Sequence, residues 1–161
     1  MRSVLRKLLF VLACGALAAS MANVLAESKQ VGMGTWKLNV EKSKYSPGPA
    51  PKSTIVTFEP AGKGVKVTVQ SVSAAGATTA YEFTANYDGK DVPIKGSPAA
   101  DTVSLKRIDA RSTTRTDKKG GKVVLTIKRV VAKDGKTFTA TAKGTTPKGE
   151  PMNNVLVFEK Q

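Results

Sequence analysis

Beyond an apolar leader, the chain is predicted to be all-β: an antiparallel up-and-down meander of about ten strands closed into a barrel. Three observations carry this expectation. Apolar and polar residues alternate at every second position in run after run, and clusters of Gly, Pro, Asp and Asn separate the runs. No stretch after the leader has the 3.6-residue periodicity of an amphipathic helix. Finally, the connections are short, and two of them, Asp88–Gly89 and Asp134–Gly135, are dipeptides suited to tight hairpin turns. Closure, with the last run meeting the first, would remove the exposed edges that invite aggregation. A two-sheet sandwich has the same alternation, and only topology separates the two.

Met1–Ala26 reads as a secretory signal peptide. Arg2, Arg6 and Lys7 precede the apolar stretches Leu8–Ala13 and Gly15–Ala19, and cleavage is expected after Ala26, where the polar run from Glu27 begins. The alternatives are a retained anchoring helix, for which the apolar stretch is short, and a lipoprotein acylated at Cys14. Against acylation, Leu12 is bulky and the chain stays apolar after Gly15. Residues 27–161 then form a single domain with no transmembrane span, located in the periplasm or outside the cell.

The expected strands follow in order. Thr35–Val40 leads into a long proline-rich connection through Tyr45–Pro51, read either as a stiff polyproline-like loop across a barrel end or as a partner-binding or gating segment. Ser53–Glu59 and Val65–Val72 are separated by a Gly-rich turn. Thr78–Tyr87 turns at Asp88–Gly89 into Asp91–Lys95. Asp101–Ile108, Ser112–Asp117 and Lys122–Val131 come next, the last two joined through Gly120–Gly121. Asp134–Gly135 leads to Thr137–Lys143, and Asn153–Glu159 closes the chain. Several runs have one apolar face: Val65, Val67 and Val69; Tyr81, Phe83, Ala85 and Tyr87; Val123, Leu125 and Ile127; Phe138, Ala140 and Ala142. Lys, Thr, Gln and Glu occupy the opposite faces, as in a sheet buried on one side.

The composition excludes much chemistry. There is no histidine, and the only cysteine is Cys14 in the leader. Serine–histidine and cysteine–histidine nucleophiles, the usual zinc shells and disulfides are therefore absent from residues 27–161. No pair of carboxylates stands out on an apolar face, and no phosphate-cradling Gly-rich loop is present. The expectation is a noncatalytic protein without metal or cofactor. The chain has 26 basic and 12 acidic residues. Three of the basic residues and none of the acids lie in the leader, so the remainder has 23 against 12, a net charge of +11. That surplus attracts anions such as envelope lipid, polysaccharide or a membrane surface. Most of the lysines fall on turns and solvent faces, however, where they serve solubility. With 6% aromatic residues and no nucleic-acid-binding signature, a nucleic-acid partner is not expected.

Gly34–Thr35–Trp36–Lys37–Leu38–Asn39, followed by Lys42–Ser43–Lys44 and Pro47–Gly48–Pro49–Ala50–Pro51, resembles small bacterial secreted proteins described as lipocalin-like. The likeness continues through Tyr87–Asp88–Gly89–Lys90, Leu105–Lys106–Arg107–Ile108–Asp109 and Asn153–Asn154–Val155. The Gly-x-Trp at the start of a strand meander is similar to that of the wider calycin group of lipocalins and fatty-acid-binding proteins. The resemblance implies a barrel enclosing a small apolar molecule, with Trp36 packed structurally across one barrel end. Glu41–Lys52 is too short and too proline-rich for the pair of lid helices that fatty-acid-binding proteins insert at this point.

Two arginines stand out. Arg107 shares a strand face with Val103 and Leu105, and Arg129 shares one with Leu125, Ile127 and Val131. A guanidinium on an apolar face needs a partner. Either arginine could bind a ligand carboxylate or phosphate inside the barrel. The plainer alternatives are that Arg129 stacks on Trp36, or that either side chain reaches the rim with its charge in solvent. Tyr81, Phe83, Leu125 and Phe138 are expected to line the walls or simply fill the core. The function expected is secreted binding of a small apolar or amphipathic ligand, including an anionic one. The alternative is a solid barrel whose basic exterior engages anionic glycolipid, cell-wall polymer or a protein partner.

Overall fold

A computed structural model describes residues 31–146 and 148–161. The expected leader, its cleavage site and Cys14 lie outside the described residues. Ten strands and no helix make up the described chain: β1 (Gly34–Lys44), β2 (Ser53–Ala61), β3 (Gly64–Val72), β4 (Thr78–Ala85), β5 (Val92–Pro93), β6 (Thr102–Arg107), β7 (Ser112–Lys119), β8 (Lys122–Val131), β9 (Thr137–Thr145) and β10 (Pro151–Lys160). They form one antiparallel sheet in the order β4-β3-β2-β1-β10-β9-β8-β7-β6-β5. The first strand does meet the last, with Trp36 opposite Lys160 and Leu38 opposite Phe158. The sheet ends are therefore β4 and β5, in the middle of the chain.

Those ends meet in a narrow seam. Glu82 and Lys95 exchange two backbone hydrogen bonds of 2.9 Å each, and Gly89 N–H donates to the Leu105 carbonyl at 2.8 Å. The result is a nearly closed barrel with one lightly bonded joint. This corrects the hairpin expected at Asp88–Gly89. Asp88 bridges to Lys106 on β6, so the dipeptide crosses the seam and does not fold β4 back on β5. At Asp134–Gly135 only the glycine has positive φ, so the connection is a longer loop and not a turn with both central residues left-handed. That tight geometry occurs at Gly120 (φ 55°) and Gly121 (φ 78°), between paired Lys119 and Lys122.

The alternating pattern buries the faces it predicts. Trp36, Leu38, Val56, Val65, Val67, Val69, Phe83, Ala85, Val103, Leu105, Val131, Phe138, Ala140 and Phe158 form one continuous interior. Phe138 sits at its centre, stacked on Phe158 at 4.6 Å and edge-on to Trp36 at 4.9 Å between ring centroids. Such pairs contribute roughly 0.5–1.5 kcal/mol beyond the area they bury. Val123 is the exception. The register between β7 and β8 slips between Asp117 and Lys118, so Leu125 faces Asp117 while Val123 faces Lys118. This bulge turns Val123 outward, to 59% exposure.

A second irregularity accounts for the Asn39–Lys42–Ser43 part of the sequence motif. Between Asn39 and Lys44, β1 leaves the β10 register. The Ser43 hydroxyl donates to the Asn39 carbonyl at 2.6 Å and accepts the Val157 N–H at 3.0 Å. Asn39 accepts the Lys42 N–H at 3.0 Å and donates to Glu159 at 2.9 Å. Side chains thus replace the ladder bonds that the bulge removes. The proline-rich connection is held to β10, with the Ser46 N–H donating to Asn154 Oδ1 at 2.8 Å and the Asn153 N–H to the Ser46 carbonyl at 2.7 Å.

Candidate functional site

Inside the barrel lies a cavity of about 150 Å³, bounded by Val56, Phe58, Val67, Val69, Tyr81, Phe83, Tyr87, Leu105, Ile127, Phe138, Ala140, Leu156 and Phe158. Period-two alternation aims these side chains inward, and the small Ala140 beside the large rings leaves the space unfilled. Only a few polar side chains reach this wall: Thr54, Thr113, Arg115 and Arg129, besides the phenols of Tyr81 and Tyr87. A shallow groove at the seam, between Thr78–Ala80 and Gly96–Pro98, has only small side chains and no charge. The interior is therefore the candidate site.

Cross-strand register places the two arginines together. Arg115 on β7 is opposite Ile127, and Arg129 on β8 is opposite Thr113, so the two are diagonal neighbours on one inner face. Their surroundings differ. Arg115 makes a two-pronged ion pair with Asp117, with Nε and Nη2 each 2.7 Å from a carboxylate oxygen. Its Nη1 donates to the Tyr81 hydroxyl at 3.3 Å, and its guanidinium lies 4.9 Å from the Phe83 ring centre. Burial pulls its pKa down, but Tyr81 and Asp117 outweigh burial and hold it above the ordinary arginine value.

Arg129 is 8% exposed and has no carboxylate partner among the described residues. Its guanidinium lies 4.1 Å from the Phe58 ring centre and 5.6 Å from that of Phe138. One Nη donates a long 3.4 Å bond to the Gly32 carbonyl, which also accepts the Trp36 indole N–H at 3.2 Å. Its Nε is buried and has no acceptor among the described residues. Burial pulls its pKa down, and Arg107 nearby adds to this while Tyr87 opposes it. An arginine still remains charged at neutral pH. The cation above Trp36 is Lys160, 5.5 Å from its ring centre, so the stacking considered for Arg129 goes instead to Phe58.

The other sequence-predicted residues are distributed as follows. Tyr81, Phe83 and Phe138 line the cavity. Leu125 is half-buried beside Asp117 and is not part of the cavity wall. Arg107 is exposed, because β6 ends there, and its guanidinium lies 4.3 Å from the Tyr87 ring centre. It is placed at the rim, outside the cavity wall. Trp36 is fully buried among core residues. Sequence reasoning passed over Arg115 and Asp117. The signal was their Arg-x-Asp spacing, which puts opposite charges on one strand face within ion-pairing reach. Among the described residues no cluster of metal-ligating side chains occurs, and no helix is long and apolar enough to cross a membrane.

No protein-family model matches the chain, and no curated protein matches it either. Solved structures similar to it include a redesigned beta barrel, at 12% identity and a TM-score of 0.48 over 83% of this chain and 94% of that one. Another is the zebrafish ileal bile acid-binding protein complexed with cholic acid, at 13% identity and a TM-score of 0.48 over 80% of this chain and 98% of that one.

Proposed function

We propose that this protein binds a small amphipathic molecule inside its barrel, with an anionic group seated against Arg129 and an apolar part among Phe58, Phe138 and Leu156. The observation that carries this reading is Arg129 itself. It is a buried guanidinium on an apolar cavity with an orphaned Nε, next to an arginine that has its own carboxylate. Leaving a buried charge unpaired costs several kcal/mol, and contact with Phe58 offsets only about 0.5–2 kcal/mol of that. A ligand oxyanion beside the guanidinium in the cavity would supply the missing countercharge. Tyr81 and Phe83 serve as walls in this reading, and Arg107 attracts anions at the rim. The protein acts as a noncatalytic carrier in the periplasm or outside the cell after loss of Met1–Ala26, which N-terminal sequencing of the exported protein tests directly.

The test of binding is displacement of an environment-sensitive apolar dye by small amphipathic anions, with Arg129→Met as the control. Binding is expected in the native protein and should respond little to salt, because the site is shielded. Native mass spectrometry should show a small molecule carried through purification. Displacement that is equal in the variant, or abolished by modest salt, refutes the reading.

A second reading has one observation in its favour. On the outer face of β6–β9, Lys106, Lys128 and Lys143 have no carboxylate within ion-pair distance among the described residues. The outer face of β3–β4 instead pairs Lys66 with Glu82 at 2.9 Å. A partner such as anionic glycolipid or cell-wall polymer would bind at this basic face, and that binding would weaken steeply with salt.

A further inference from the structure

Resting on the interior-binding reading, we infer that the cavity selects a short monocarboxylate: a singly charged acid whose apolar part is a benzene ring or a chain of about six carbons. Two independent features of the site carry this, the sum of its charges and its size.

Arg115 and Asp117 neutralise one another through two 2.7 Å contacts, so the pair adds no net charge. Arg129 adds one positive charge, and among the described residues no other ionisable cation or carboxylate lines the wall. The site therefore carries a net charge of +1. A monoanion brings the occupied cavity to neutrality. A dianion leaves one buried negative charge uncompensated, and a neutral ligand leaves Arg129 as it was; both outcomes are costly where water is excluded. Arg107 is exposed at the rim, and solvent and salt screen its charge. Arg129 forms part of the cavity wall, so a carboxylate entering the cavity meets its guanidinium.

The volume sets the second limit. A cavity of about 150 Å³ matches the apolar cavity size known to take up benzene. It is well below the roughly 300–1,000 Å³ of sites for drug-sized ligands. A long acyl chain exceeds this volume, so most of it would gain no contact with the cavity wall.

Isothermal titration calorimetry on the full chain tests this with benzoate, hexanoate, benzyl alcohol, phenyl phosphate at pH 8 and palmitate. Benzoate and hexanoate are expected to bind at least about tenfold tighter than benzyl alcohol or phenyl phosphate, the scale of one charge-assisted hydrogen bond. Palmitate should bind no tighter than hexanoate. In Arg129→Met the preference of acid over alcohol should disappear while benzyl alcohol still binds. The fluorescence of Trp36, the only tryptophan, gives a second readout in both proteins. Asp117→Asn raises the net cavity charge to +2 and should shift preference toward phenyl phosphate. If that variant does not fold, the acid-to-alcohol ratio in Arg129→Met still decides the matter. Phenyl phosphate or benzyl alcohol binding as tightly as benzoate overturns the monocarboxylate assignment, and palmitate binding tenfold tighter than hexanoate overturns the size limit. Failure of every probe, neutral and charged, overturns the interior-binding reading itself.

Discussion

Arg115 and Arg129 are the same residue type on adjacent strands, facing the same cavity, yet the fold treats them differently. Arg115 has the Asp117 carboxylate, the Tyr81 hydroxyl and the Phe83 ring around it. Arg129 has one weak carbonyl contact, the Tyr87 hydroxyl nearby and aromatic faces, but no carboxylate among the described residues. The contrast separates two uses of a buried charge. Arg115 ties β7 to β4 across the barrel interior, bracing the side on which the seam is thinly bonded. Arg129 has no carboxylate among the described residues, and in the proposed reading a ligand anion takes that place.

The sharpest way to break the contrast is to give Arg115 the condition of Arg129. Asp117→Ala leaves a second guanidinium without a carboxylate, and it should destabilise the fold by about 3–5 kcal/mol in urea denaturation. Arg129→Met should leave stability unchanged or raise it by about 1–4 kcal/mol in the same measurement, because an unpaired charge is replaced by an apolar group of similar length. A loss as large as that of Asp117→Ala would show Arg129 to be structural. Tyr81→Phe removes only the 3.3 Å hydrogen bond to Arg115, and it should cost about 0.5–1.5 kcal/mol. Amide hydrogen exchange should then rise first at Glu82 and Lys95, the seam residues.

The smallest effect belongs to the surface. Lys66 holds the Glu82 carboxyl below its ordinary pKa, Lys119 and the Gly120 N–H do the same for Asp101, and Lys42 and Asn39 do so for Glu159. A carboxylate with a depressed folded-state pKa stabilises the fold above its unfolded-state pKa, and that contribution disappears as pH falls through the folded value. Stability should therefore be flat from neutral pH down to the ordinary carboxylate range and decline gently below it. Added salt should flatten the decline further, since these pairs are exposed. A midpoint near neutral pH in thermal melts would contradict this.

Much of the fold is legible without coordinates. β2, β3, β8 and β9 follow their alternating runs closely, and Val65, Val67, Val69, Phe83, Ala85, Ala140 and Ala142 are all buried as that alternation requires. β5 shrinks to Val92–Pro93 because Pro93 has no N–H to donate to a ladder. The site was only half legible. Arg129 announces itself by lying between Ile127 and Val131. Arg115 does not, because Ser-Thr-Thr-Arg-Thr-Asp offers no apolar neighbour to reveal its inward face. Arg107 follows two inward residues on β6, but a strand that ends at the rim frees its last side chain.

Alternation at period two is a local property, carried by each segment whatever it pairs with. The amino-acid order alone therefore determined that this is an antiparallel β protein, which faces of most strands are buried, and that no imidazole or thiol chemistry occurs after Cys14. Charge pairing is not local in that sense. Whether an inward arginine meets a carboxylate depends on how β6, β7 and β8 register against one another, and on which strands face each other across the interior. Tertiary structure alone decided that Asp117 answers Arg115, that a cavity remains beside Phe138, and that Arg129 lines it with no carboxylate beside it among the described residues.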